Sequence, residues 1–165
     1  MEEIDLSVIG RDEVPASLRE LLQSGWLELP DGAWVIRDLV AGYSGDHASF
    51  VDVLHLESSI NGRGITDLGL PSDPALKVLP LLRRSLAYAC LGLKSAADVP
   101  SPVNLVATVS LSSVDQDITT SHVTFTSVHD DLPPYLPDLE GFSGHPVAEL
   151  SAADCDLFST ICGNS

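Results

Sequence analysis

The chain has 165 residues, with 24 Asp or Glu against 8 Lys or Arg, for a formal net charge of −16. Apolar residues make up 44% of it and mean hydropathy is +0.20, which excludes a disordered acidic tail, since such chains are poor in apolar side chains. The lysines are Lys77 and Lys94 alone, which excludes direct binding of a nucleic-acid backbone, a surface that calls for clustered cations.

One α+β domain spanning 1–165 is expected, large enough to bury roughly 70% of its unfolded surface and so to form a core without disulfides or metal. Met1 to Arg11 is short and acidic and lacks the basic and apolar regions of a secretory signal. Ile4 to Ile9 reads as a short strand or docked arm. Pro15 to Ser24 reads as a helix, with Leu18, Leu21 and Leu22 on one face and Gly25 as its stop. Pro30-Asp31-Gly32, between Trp26–Leu29 and Ala33–Arg37, predicts a β-hairpin. Ser49 to Glu57 is expected to be a third strand, although its alternation changes phase between Val53 and Leu54. Ile65 to Leu68 is a candidate extension of the sheet.

Asp73-Pro74 opens the main helix, which is expected to reach about Leu93, with Pro80 kinking it or marking its true start. It is apolar nearly all round, so sheet is expected on one side and another cover, a second subunit included, on the other. Val103 to Ser112 and Thr119 to Val128 alternate as two long antiparallel strands. Their Ser- and Thr-rich outer face suits a solvated or lightly covered sheet. Residues 129–146 form a long loop rich in Pro, Gly and Asp. A last helix is expected from Ser151, with Asp154 in capping-box-like spacing. The order is α-β-β-β-α-β-β-α: an antiparallel sheet of five or six strands packed on one long apolar helix.

Charge is unevenly placed. Residues 1–94 carry 14 acidic and all 8 basic residues, whereas 95–165 carry 10 acidic residues and no Lys or Arg. Local neutralisation is impossible there, so solvent, salt or a partner relieves the repulsion. Asp115, Asp117, Asp130, Asp131, Asp138 and Glu140 are the candidate contacts to a basic protein partner. The odd count of three cysteines, Cys90, Cys155 and Cys162, fits buried packing in a reducing cytoplasm. No segment is apolar enough to span a membrane.

Phosphate loops, dinucleotide fingerprints, nucleophile elbows and zinc-spaced Cys or His pairs do not occur. His122 and His129 differ by an odd number of positions, which on one strand sets them on opposite faces. No metal or cofactor is therefore expected. Should the protein be an enzyme or small-ligand carrier, with a pocket between sheet and helix, His55, His122 and His129 are the acid–base candidates. Glu28, Asp52 and Glu57 would be candidate carboxylates on neighbouring strands.

In element order, size and low isoelectric point the chain resembles small acidic type III secretion chaperones and the related YbjN-type proteins. The resemblance rests on Leu18 to Arg37 and on the leucine-rich helix after Leu68-Gly69-Leu70-Pro71, less than half of the chain. It implies a homodimer that holds a partner segment, and no catalytic residues. The expected function is accordingly a non-catalytic, protein-binding module, either an immunity or inhibitor protein or a secretion-type chaperone.

Overall fold

A computed structural model describes residues 6–101, 103–114, 118–136 and 146–161. The described elements are α1 (Ala16–Gln23), β1 (Trp26–Glu28), β2 (Trp34–Ile36), α2 (Arg37–Ala41), α3 (Val53–Asn61), β3 (Arg63–Ile65), α4 (Pro74–Ala97), β4 (Leu105–Val114), β5 (Ile118–Ser127), β6 (Val147–Ser151) and α5 (Asp156–Ile161). The strands form two antiparallel sheets, a β1–β2 hairpin and a four-stranded sheet in the order β3-β5-β4-β6. The α+β class holds; the single sheet of five or six strands is corrected to sheets of two and four.

The hairpin turns as its residues require. Gly32 takes a φ of +87°, Leu29 and Ala33 close the turn through Leu29 N–H to Ala33 O (2.8 Å), and Asp31 accepts from Ala33 N–H (3.2 Å). Only glycine enters that left-handed region without strain.

The expected strand at 49–57 is instead a turn and the start of α3. Asp52 caps the helix by accepting from His55 N–H (2.9 Å). Leu56 and Glu57 are buried with Ile60 and Asn61, a three-to-four-residue recurrence that places them on one helical face. The change of phase after Val53 is the trace of this helical period.

α4 runs unbroken through Pro80 to Ala97 and packs on β4 and β5. Leu81, Leu86, Ala89 and Leu93 meet Leu105, Ala107, Val109, Val123 and Phe125 in the main core. Part of its further cover comes from the chain itself. α1 and the turn Arg11–Glu13 pack on it, with Ile9, Val14 and Leu22 buried in the same core. A second cluster, Ala33, Val35, Leu56 and Ile60, joins the hairpin to α3. The outer sheet face is also more covered than expected: Thr108, Thr124 and Thr126 are buried, beneath α3 and residues 132–136.

Cys90 and Cys155 are fully buried, as expected, but joined in a disulfide. A bonded pair belongs to oxidising surroundings more than to a reducing cytoplasm. Cys162 lies outside the described residues. The Ser151–Asp154 contact forms, with Ser151 N–H and hydroxyl both donating to Asp154 at 2.7 Å. It closes the corner after β6, however, and α5 begins only at Asp156.

Phe125 is the centre of the main core. Trp26 and Tyr88 meet its ring edge-on, at centroid distances of 5.5 and 5.6 Å. The ring also lies so close to the α4 backbone at Gly92 that a β-carbon there would overlap it. Gly92→Ala is therefore expected to destabilise the fold by about 1–3 kcal/mol through overpacking, despite alanine's better helix propensity; urea unfolding of the two proteins measures it.

Candidate functional site

Two sheet edges face each other without pairing. On the hairpin, Trp34 and Ile36 turn their N–H groups away from β1; on β5, Phe125 O and Ser127 N–H point away from β4. Unpaired backbone groups buried in this way are costly. Two side chains one turn apart on α3 satisfy both edges. Glu57 accepts from Trp34 N–H (2.7 Å), Ser127 N–H (2.7 Å) and the Ser127 hydroxyl (2.5 Å). Asn61 accepts from Ile36 N–H (3.0 Å) and donates to Trp34 O (2.8 Å) and Phe125 O (3.1 Å). Both are fully buried. Burial pushes the Glu57 carboxyl above its usual range, while the donors of Ser127 and Trp34 pull the other way.

Beyond β5, His129 Nε2 lies 2.7 Å from the Ser127 hydroxyl. The result is a chain Glu57–Ser127–His129 at the base of a cavity of about 170 Å³ whose walls include Leu54, Leu132, Pro134 and Glu149. The Ser127 hydroxyl donates to Glu57, and the His129 ring nitrogen lies within hydrogen-bond reach of the same oxygen. In a Ser–His nucleophile the serine proton is directed to the imidazole; here the hydroxyl is bonded to Glu57.

His122, on β5 opposite Gly64, lines a separate pocket of about 280 Å³ with Thr108, Thr124, Tyr135 and Ser58. Its Nδ1 lies 3.2 Å from the Thr124 hydroxyl. The residue is exposed overall, but one side of its ring packs on Gly62, where a β-carbon would meet its Cε1 at 2.8 Å. Removal from water, followed by the nearby charge of Arg63, lowers its pKa. Thr108 Oγ1 is buried in this pocket without a hydrogen-bond partner among the described residues. Tyr135 lines both cavities.

His55 belongs to neither. It is exposed at the start of α3, its Nδ1 2.8 Å from Asp52, and its backbone N–H and ring hold the Asp52 carboxyl below its usual range. The three histidine candidates thus sit in three places. Glu28, Asp52 and Glu57 do not form a carboxylate pair, because Asp52 and Glu57 lie on α3 rather than on strands: Asp52 caps it and Glu57 is sealed inside. Asp130 and Asp131 are adjacent and exposed; Asp115, Asp117, Asp138 and Glu140 lie outside the described residues. Among the described residues no group of three His, Cys, Asp or Glu is placed to hold a metal ion. Sequence reading missed Ser127 and the bridging role of Glu57, although the Glu57–Asn61 spacing of one helical turn was visible.

No family model, curated protein or solved structure matches the chain.

Two outcomes are expected from these sites. Glu57→Gln turns an amide N–H₂ toward backbone N–H donors, and is expected to cost about 2–4 kcal/mol of stability in urea unfolding. His122 is expected to titrate below the ordinary 6.5, read from its imidazole proton resonances. Because its folded pKa is lowered, its contribution to stability is present above 6.5 and lost as pH falls through the folded value; His122→Gln flattens that part of the stability profile.

Proposed function

We propose that this chain is a non-catalytic binding protein that covers a basic protein partner with its acidic half. The observation that carries the reading is the stranded charge. Residues 95–165 hold 10 carboxylates and no Lys or Arg, and the ion pairs at Glu13, Asp52 and Asp67 lie in the first half. Asp130 and Asp131 stand exposed side by side, and with Asp115, Asp117, Asp138 and Glu140 they are the proposed contact residues. Such a field steers a basic partner and discriminates against acidic ones. The direction of the Ser127 proton toward Glu57 supports the non-catalytic side of the reading.

Within this proposal the protein acts as an immunity or inhibitor protein, or as a secretion-type chaperone working as a homodimer. The chaperone form is supported by apolar surface: Leu76 and Leu79, one turn apart on α4, and Leu68 before it are 62%, 53% and 83% exposed. No helix among the described residues is long and apolar enough to cross a membrane. A second reading, a small-ligand carrier or enzyme, is favoured by the unpartnered Thr108 hydroxyl beside His122 in the 280 Å³ pocket.

The test begins with capture of the partner from the native host and continues with the purified pair. The expected partner is basic, its affinity falls about tenfold or more between low and high salt, and Asp130→Lys with Asp131→Lys weakens it further. Binding that resists salt but survives in the wild type selects the chaperone form. Binding untouched by the charge reversal defeats the acidic-face reading.

A further inference from the structure

The chain's eight cations divide into three groups. Lys77 and Arg83 are in ion pairs with Asp67 and Glu13. Arg37, Arg63 and Arg84 donate to the backbone carbonyls of Ser24, Gly62 and Thr66. The remaining three, Arg11, Arg19 and Lys94, have side chains with neither kind of contact among the described residues, and all three line one open pocket of about 260 Å³. They reach it from the turn Arg11–Glu13, from α1 and from the last turn of α4.

Lys94 alone has a local explanation, since the carbonyl end of a helix favours a cation. Arg11 and Arg19 have none. The one carboxylate on the pocket wall is Asp98, one helical turn beyond Lys94, and it forms no ion pair with any of the three. The pocket therefore carries three positive charges against one negative, in a chain whose net charge is −16. Like charges gathered without a counter-ion repel, and an entering oxyanion removes that repulsion. Guanidinium groups supply paired donors that match carboxylate and phosphate oxygens.

The rest of the wall narrows the ligand. Leu22 and Leu91 give it apolar surface. The Ser95 hydroxyl is committed elsewhere, accepting from Trp26 Nε1 (2.9 Å) and donating to Gly92 O (2.8 Å). Gln23 adds a side-chain amide to the wall; charge recognition rests on the cations, and the local excess of two positive charges matches a dianion. We infer that this pocket binds a small dianionic ligand, a phosphomonoester or a dicarboxylate. The three cations of the site belong to residues 1–94, its wall is completed by Ser95 and Asp98, and it does not depend on the partner proposed for the acidic half.

Thermal unfolding in the presence of inorganic phosphate or succinate, each at constant ionic strength against sodium chloride, tests this. One or both anions are expected to raise the midpoint of the wild type with a saturating dose dependence. A response to phosphate alone assigns a phosphate group; one to succinate alone assigns a dicarboxylate. Arg19→Gln combined with Lys94→Gln is expected to weaken binding at least about tenfold, the loss that follows removal of charge-assisted hydrogen bonds, whereas Lys77→Gln leaves it unchanged. Asp98→Asn, which removes the opposing carboxylate, is expected to tighten it. Absence of any response in the wild type, or an equal response in the double variant, overturns the proposal. Should the double variant fail to fold, an Asp98→Asn protein that binds no more tightly overturns it as well.

Discussion

The two sheets of this protein are held in register by a single turn of helix. Glu57 and Asn61 stand where a further β-strand would otherwise be needed, between the open edge of β2 and the open edge of β5. A carboxylate can only accept, and three donors converge on it. An amide has one accepting and two donating positions in use, and the three bonds of Asn61 fill them in the matching order. The α3 helix therefore does more than pack: it translates the hydrogen-bonding pattern of one sheet into that of the other. The placement of the hairpin, the close approach of Trp26 to Phe125 and the position of Ser127 at the sheet edge depend on it.

The same bridge explains which parts of the fold are legible in the sequence. The hairpin around Pro30-Asp31-Gly32, the capped helix after Asp73 and the alternating strands β4 and β5 are written in local spacing, and they occur where that spacing puts them. α3 is not, because its burial follows partners far along the chain: Trp34 is 23 positions from Glu57, and Ser127 is 70. A buried Glu reads locally as an exposed one. β6 is obscured for a different reason. It is five residues long, follows a Pro- and Gly-rich stretch, and gains its order from pairing with β4 rather than from its own composition. The covered outer face of the sheet escapes detection because threonine serves both buried and solvated strands.

Candidate chemistry divides in the same way. The histidines are visible as residue types, but their separation into a helix cap, a sheet-face pocket and a serine partner is a product of topology. Arg11, Arg19 and Lys94 are spread over most of the first hundred residues and meet only because α1 and the preceding turn fold back on the end of α4. The acidic excess, by contrast, is a property of the sequence itself. The ion pairs His55–Asp52, Lys77–Asp67 and Arg83–Glu13 all lie within the first half.

The Cys90–Cys155 bond makes a closed circuit of the chain. It runs from the middle of α4 through β4, β5 and β6 and back to α4, a separation of 65 residues. Everything on that circuit, the acidic segment after β5 included, is anchored covalently at both ends to the same buried point. A single peptide-bond cleavage anywhere within the ring opens it without releasing a fragment: the two pieces stay tethered through sulfur, and the strands on either side of the cut keep their places in the sheet. Proteolytic nicking of the acidic half and loss of that half are, for this molecule, separate events.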